Sequence, residues 1–167
     1  MIHLVLGGAR SGKSGFAECS AADIAGDQVL YIATAENRDA EMDVRIEQHL
    51  KSRNPEWTTH EASQGLAKAL TVHPECACVL IDCLTLWLSR SLETGTWLEE
   101  KSSFLAALSG SERPVILVSN EVGSGIIPMG ELTRQFVDEA GYLHQDIAKI
   151  AQKVSLVVAG FPVAVKG

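Results

Sequence analysis

Along the whole chain, short apolar runs alternate with longer stretches of helical spacing. The runs fall at residues 2–6, 29–33, 76–82, 115–120 and 154–159, are mostly β-branched or Leu-rich, and carry no internal polar alternation. Strands buried on both faces of a parallel sheet read this way, because helices cover the sheet from each side. A weaker strand is expected at 57–61 and a short edge strand at 162–166. Helical spacing covers 9–25, 39–52, 64–72, 84–92, 97–108 and 130–153, long enough to serve as crossovers between parallel strands. No repeat, low-complexity tract or linker-like shift in composition interrupts the pattern. The expectation is one α/β domain spanning residues 1–167.

Composition narrows the class without naming a chemistry. At 46% hydrophobic and 21% charged the chain can build a core without disulfide or metal staples. A net charge of −7 argues against broad binding to nucleic acid or anionic membranes. No apolar run approaches the ~18 residues of a membrane span. The N-terminus has no signal-peptide pattern and runs directly into a glycine loop, so Cys19, Cys76, Cys78 and Cys83 are expected as reduced thiols in a cytoplasmic protein.

The glycine loop carries the first chemistry. Gly7-Gly8-Ala9-Arg10-Ser11-Gly12-Lys13-Ser14 matches G-x-x-x-x-G-K-[ST] and sits between an expected strand and an expected helix. Its glycines let backbone N–H groups face phosphate oxygens, and the helix N-terminus adds partial positive charge. Lys13 suits the β- and γ-phosphates of ATP or GTP, and the Ser14 hydroxyl suits a Mg²⁺ shell. An acidic strand end nearby would complete that shell through water. Asp82, closing Val79-Leu80-Ile81-Asp82, is the best candidate, with Glu121 a second polar strand end at the same sheet edge.

A second signal lies in residues 38–53. Arg38, Glu41, Arg45, His49 and Arg53 share one helix face, beside an apolar stripe of Met42, Ile46 and Leu50. Taken alone, such a stripe reads by default as a solvated, salt-bridged surface. The alternative is a phosphate-recognising face with a neutral histidine among guanidiniums.

Several segments together resemble one family, the bifunctional adenosylcobinamide kinase/adenosylcobinamide-phosphate guanylyltransferases of cobalamin biosynthesis. They are the glycine loop, Val29-Leu30-Tyr31-Ile32-Ala33-Thr34-Ala35, and Glu41-Met42 through Arg45-Ile46 and His49, with Arg53 and Trp57 behind them. Ile81-Asp82-Cys83-Leu84-Thr85 follows, then the stretch from Val118-Ser119-Asn120-Glu121-Val122-Gly123 to Pro128, Arg134-Gln135-Phe136 and Asp138-Glu139-Ala140-Gly141. The resemblance implies a P-loop NTPase with a mostly parallel, RecA-like sheet flanked by helices. It implies transfer of a γ-phosphoryl group from ATP or GTP to the aminopropanol hydroxyl of adenosylcobinamide. It also implies transfer of GMP from GTP to the resulting phosphate, carried on a histidine that aligns with His49. By the same carry-over, Ala33, Thr34, Ala35, Leu50, Lys51, Ser52, Arg53, Glu61 and Asp82 line the GTP site, and the chain assembles as a trimer.

The chain departs from the family pattern at His144, where Asn is usual, and in the tail Gly160-Phe161-Pro162. Among other readings, Cys76-Ala77-Cys78 with Cys83 and His73 lacks the spacing of a zinc pair, and alternate cysteines on a buried strand read as core. Asp23-Ile24-Ala25-Gly26 matches D-x-x-G but falls inside the helix after the glycine loop, too early for a γ-phosphate sensor. Two rivals stay open on the residues: a small-molecule P-loop kinase without guanylyl transfer, and a non-catalytic GTP-binding module.

Overall fold

The computed structural model describes residues 1–35 and 54–167. The expected helix at 39–52 therefore lies outside the described residues, as does the Arg38–Arg53 face with His49. In chain order the elements are β1 (Ile2–Gly7), α1 (Lys13–Ala25), β2 (Val29–Ala33), β3 (Thr58–Glu61), α2 (Leu66–Ala69) and β4 (Cys78–Asp82). They continue as α3 (Leu84–Glu93), α4 (Trp97–Ser109), β5 (Val115–Asn120), α5 (Glu131–Ile150), β6 (Lys153–Val158) and β7 (Phe161–Lys166).

The strands form one sheet in the order β3-β2-β4-β5-β1-β6-β7. Every neighbouring pair is parallel except β6 and β7, which form an antiparallel hairpin at one edge. Side chains alternate between faces along a strand, and the core divides accordingly. Val5, Tyr31, Leu80, Ile116 and Val118 pack with Ala17 and Ala21 of α1 on one face. On the other face Leu4, Leu30, Ile81 and Leu117 meet Leu66, Leu84, Trp87, Phe104, Leu143 and Ile147, which α2–α5 supply. Both faces of the central strands are thus covered, which is why those strands read as unbroken apolar runs.

Aromatic side chains lock the α2–α5 layer. Trp87 lies edge-on to Trp97 and Phe104 at 5.2 and 5.0 Å. Both indole N–H groups of this layer find a carboxylate: Trp87 Nε1 donates to Glu100 Oε2 at 2.8 Å and Trp97 Nε1 to Glu139 Oε2 at 2.7 Å. Glu100 also accepts from the Gly65 N–H at 2.9 Å, tying α4 to the start of α2.

Three helices differ from the sequence expectation by more than one residue, each for a physical reason, and the strand expected from residue 76 begins at Cys78. The helix expected from residue 9 starts at Lys13, because Arg10 and Gly12 adopt left-handed backbone at φ 57° and 92°. The helix expected over 64–72 shrinks to Leu66–Ala69. There the Arg113 guanidinium takes the carbonyls of Leu70, Val72, His73 and Cys76 at 2.6–3.2 Å, holding them away from helical partners. The long last helix ends at Ile150, since Ala151 is already extended and β6 starts at Lys153. The weak strand at 57–61 and the edge strand at 162–166 are present as β3 and β7.

One side chain thus organises the whole α2–β4 connection, and its removal has a defined cost. Arg113→Ala removes the shared donor of four carbonyls and is expected to lower unfolding free energy by about 2–4 kcal/mol in urea titrations. Arg113→Lys is expected to recover only part of that loss, because an ammonium lacks the planar fork.

Candidate functional site: a phosphate cradle at the sheet edge

Parallel strands end together, and here the carboxyl ends of β1, β2, β4 and β5 form one edge. Gly7 pairs with Asn120 of β5 and Val157 of β6, while Ala33 pairs with Asp82 of β4 and Glu61 of β3. Ligands of open α/β sheets bind above such edges. The chain leaves β1 into the loop from Gly8 to Gly12 and enters α1 at Lys13, so the α1 N-terminus points at the same edge.

The loop is held tightly from behind. A Cβ on Gly7 would stand 2.8 Å from the Val157 carbonyl oxygen, and one on Gly12 would stand 3.0 Å from Gly160 Cα. Gly12 moreover has φ 92°, which disfavours any side chain. The tip of the β6–β7 hairpin completes the contact, with Gly160 N–H donating to the Ser11 carbonyl at 2.8 Å. Ser11 Oγ is buried without a hydrogen-bond partner among the described residues. Lys13 Nζ reaches back toward the Gly8 carbonyl at 3.5 Å, a long contact that leaves the ammonium available for phosphate.

Asp82 lies across from this loop. Cys78 and Leu80 pack on the α1 face, so Asp82, next in the alternation, presents its carboxylate to that face too. Its Oδ2 accepts from the Tyr31 hydroxyl at 3.1 Å. Among the described residues neither Asp82 Oδ1 nor Ser14 Oγ forms a hydrogen bond. A hard divalent ion such as Mg²⁺, which takes one or two protein oxygens and keeps several waters, fits this donor set.

Thr34 fixes the turn after Asp82. Its N–H donates to the Asp82 carbonyl at 3.2 Å, while its hydroxyl donates to the Cys83 carbonyl at 2.7 Å and accepts from Cys83 N–H at 2.8 Å. With the hydroxyl so committed, any nucleotide contact from Thr34 falls to other atoms of the Ala33–Ala35 stretch. Ala33 hands its carbonyl to Ala62 N–H at 2.9 Å, which sets the exposed Glu61 on the same edge. Cys83 is buried beside this turn, and burial, reinforced by the Asp82 charge, pushes its thiol up. Cys78, whose thiol burial pushes up to about 11, is a core residue like Cys76.

At the β5 end, Glu121 N–H donates to the Gly7 carbonyl at 3.0 Å, and its Oε1 accepts from Gly123 N–H at 2.7 Å. Asn120 Nδ2 donates to Thr85 Oγ1 at 3.1 Å, tying the end of β5 to the first turn of α3, just after β4. His144 reaches across from α5, its Nε2 lying 2.7 Å from Ser119 Oγ.

The structure therefore brings together Gly7, Gly8, Ala9, Arg10, Ser11, Gly12, Lys13, Ser14, Ala33, Thr34, Ala35, Glu61 and Asp82. His49, Leu50, Lys51, Ser52 and Arg53 lie outside the described residues. Sequence reasoning missed Tyr31 and Gly160 as parts of the site. Gly160 had a signal, since Ala159-Gly160 between two apolar runs marks a hairpin. Tyr31 had only its place in an apolar run that also belongs to a family-like segment, with nothing to mark its hydroxyl.

Comparison with known proteins gives the family and the fold. Residues 3–165 match the model of a family described as cobinamide kinase / cobinamide phosphate guanyltransferase. The bifunctional adenosylcobalamin biosynthesis protein CobP of Pseudomonas aeruginosa is 47% identical over 100% of this chain and 98% of its own length. The bifunctional adenosylcobalamin biosynthesis protein CobU of Escherichia coli is 39% identical, covering 99% of this chain and 100% of its own. Among solved structures, a KaiC-like protein of Pyrococcus horikoshii shares the fold, with a TM-score of 0.52 at 17% identity over 93% of this chain and 69% of that one.

One buried histidine, His3, and one half-buried histidine, His144, tie stability to pH. His144 is held below its ordinary 6.5 by burial, against an opposing pull from Glu121. His3, whose Nε2 lies 2.9 Å from Ser155 Oγ, is lowered by burial and then by Lys153. The folded chain resists protonation of both rings while the unfolded chain takes up protons near pH 6.5, the ordinary value of both. Stability is therefore complete above that pH and declines as pH falls through the two folded values. Urea midpoints are expected to be lower at about pH 5.5 than at about pH 7.5, with a smaller difference in His144→Asn.

Proposed function

Because the chain belongs to the cobinamide kinase / cobinamide phosphate guanyltransferase family, we propose that it performs both transfers on adenosylcobinamide from one nucleotide site. In the first, the aminopropanol hydroxyl attacks the γ-phosphorus of ATP or GTP, its O–P bond forms as the β–γ bridge breaks, and a nucleoside diphosphate and a proton leave. In the second, GMP passes from GTP to that phosphate, giving adenosylcobinamide-GDP and pyrophosphate. The observation that supports this reading is a glycine loop and helix N-terminus at the same sheet edge as the end of β4 with Asp82, in a chain matched over residues 3–165.

The residues divide the work by their chemistry. Backbone N–H groups from Gly8 to Ser14 and the α1 dipole receive the phosphates, and Lys13 takes up charge on the β- and γ-oxygens. Ser14 and Asp82 would hold Mg²⁺, which when bound neutralises charge between neighbouring phosphates. For the second transfer the proposed nucleophile is His49. A neutral imidazole nitrogen bonds to the α-phosphorus as the α–β bridge breaks and pyrophosphate leaves, and the cobinamide phosphate oxygen then displaces the imidazole. Splitting one displacement into two lets the same cradle serve both acceptors. Ala33, Thr34, Ala35, Leu50, Lys51, Ser52, Arg53 and Glu61 are proposed to line the guanine nucleotide.

Assembly into a homotrimer belongs to the same proposal. Large apolar side chains stand in solvent on the β5–α5 connection, at the start of α5 and along β7, including Ile126, Met129 and Leu132, each at least 80% exposed, and Phe161. Patches of this kind mark contact surfaces. Light scattering is expected to give a mass near that of three chains, and a monomer at all concentrations would refute it. The proposed compartment is the cytoplasm; no described helix is long and apolar enough to cross a membrane.

Guanylyl transfer is tested with GTP labelled at the α-phosphorus. The wild type is expected to retain an acid-labile, alkali-stable label that His49→Ala loses, as a phosphoramidate requires. Tight GTP binding with no covalent label would leave a plain P-loop kinase or a binding module.

A further inference from the structure

We propose that Tyr31 is a positioning residue for the metal site: its hydroxyl orients the Asp82 carboxylate so that the remaining oxygen meets the hydrated divalent cation of the bound nucleotide. The proposal rests on the assignment of Asp82 to that cation's shell.

Position comes from the sheet register. Tyr31 pairs with Leu80, two residues before Asp82, so the phenol and the carboxylate share the α1 face of neighbouring strands. The hydroxyl donates to Asp82 Oδ2 at 3.1 Å. A carboxylate rotates about its terminal torsion over a broad, shallow range unless a partner fixes it. With Oδ2 held by the Tyr31 hydroxyl, Oδ1 is the oxygen left for the cation.

The donor is itself immobilised. Tyr31 is 2% exposed, and its ring stacks on Trp57 at 6.5 Å with an interplanar angle of 28°. Trp57 is tethered in turn, its Nε1 donating to the Gly26 carbonyl at 3.0 Å. Asp82 is thus fixed twice: Thr34 N–H holds its backbone carbonyl and Tyr31 holds its side chain. Space filling alone would be served by Phe, without the burden of a buried hydroxyl. Partners that orient a metal ligand typically change metal affinity 10–100-fold when removed.

Tyr31→Phe deletes the hydroxyl and keeps the ring against Trp57. The probe is Mn²⁺, titrated by electron paramagnetic resonance into protein saturated with a GTP analogue bearing a methylene bridge between the α- and β-phosphorus, which blocks guanylylation. Tyr31→Phe is expected to weaken Mn²⁺ binding about tenfold while analogue affinity in EDTA stays at the wild-type value. The Mg²⁺ concentration for half-maximal phosphoryl transfer is expected to rise by a similar factor, so the rate deficit is larger at limiting than at high Mg²⁺. Wild-type Mn²⁺ affinity in Tyr31→Phe overturns the proposal, as does a parallel loss of metal-free analogue binding, which would mean general damage. Asp82→Asn separates the two readings. If it weakens Mn²⁺ binding where Tyr31→Phe does not, only the role of Tyr31 falls; if neither variant weakens it, the assignment of Asp82 falls too.

Discussion

At Gly7 a Cβ would press on the Val157 carbonyl, and at Gly12 on the backbone of Gly160. The nucleotide edge depends on those two missing side chains, because they let the loop after β1 sink between α1 and the β6–β7 hairpin. Only then do the loop's N–H groups and the α1 N-terminus converge on one volume. The hairpin returns the favour by giving the Gly160 N–H to the Ser11 carbonyl. A phosphate loop is often described by its own eight residues, but here its shape is also set by chain that arrives some 150 residues later.

The second constraint is the pinning of the β4 end. Thr34 spends its N–H and hydroxyl on Asp82 and Cys83, Tyr31 spends its hydroxyl on the Asp82 carboxylate, and Asn120 reaches Thr85 from the other side. These bonds join the ends of β2, β4 and β5 into a polar rim over an apolar sheet. Buried polar groups are costly unless partnered, and a rim in which each group satisfies another is both stable and geometrically specific. Such a rim suits a site that must present one set of phosphates to two different acceptors.

Below the rim, the opposite sheet face is organised by packing and by long-range donors. The Trp87–Trp97–Phe104 cluster fills the α2–α5 layer, and its indole N–H groups select Glu100 and Glu139 as partners. Arg113 reaches back across 43 residues to the Leu70 carbonyl and ends α2 after one turn. Helical spacing over 64–72 is genuine in the sequence, but its periodicity carries no information about a guanidinium that far along the chain. Likewise, helical spacing from residue 9 could not disclose that Arg10 and Gly12 take left-handed backbone.

What the sequence determined by itself is what local chemistry encodes. Unbroken apolar runs specified strands covered on both faces, helical stretches between them specified parallel crossovers, and the strand–glycine loop–helix order specified a phosphate site with Lys13 and Ser14. The place of Asp82 at that site's edge was legible as well, because strand ends of a parallel sheet share an edge whatever their order. The order β3-β2-β4-β5-β1-β6-β7 was not. Each buried strand presents nearly the same apolar surface to any neighbour, so pairing is decided by the joint fit of helices and sheet. That order alone placed Tyr31 beside Asp82, Glu121 beside Gly7 and Gly160 behind Gly12, contacts between residues far apart in the chain that no spacing along it records.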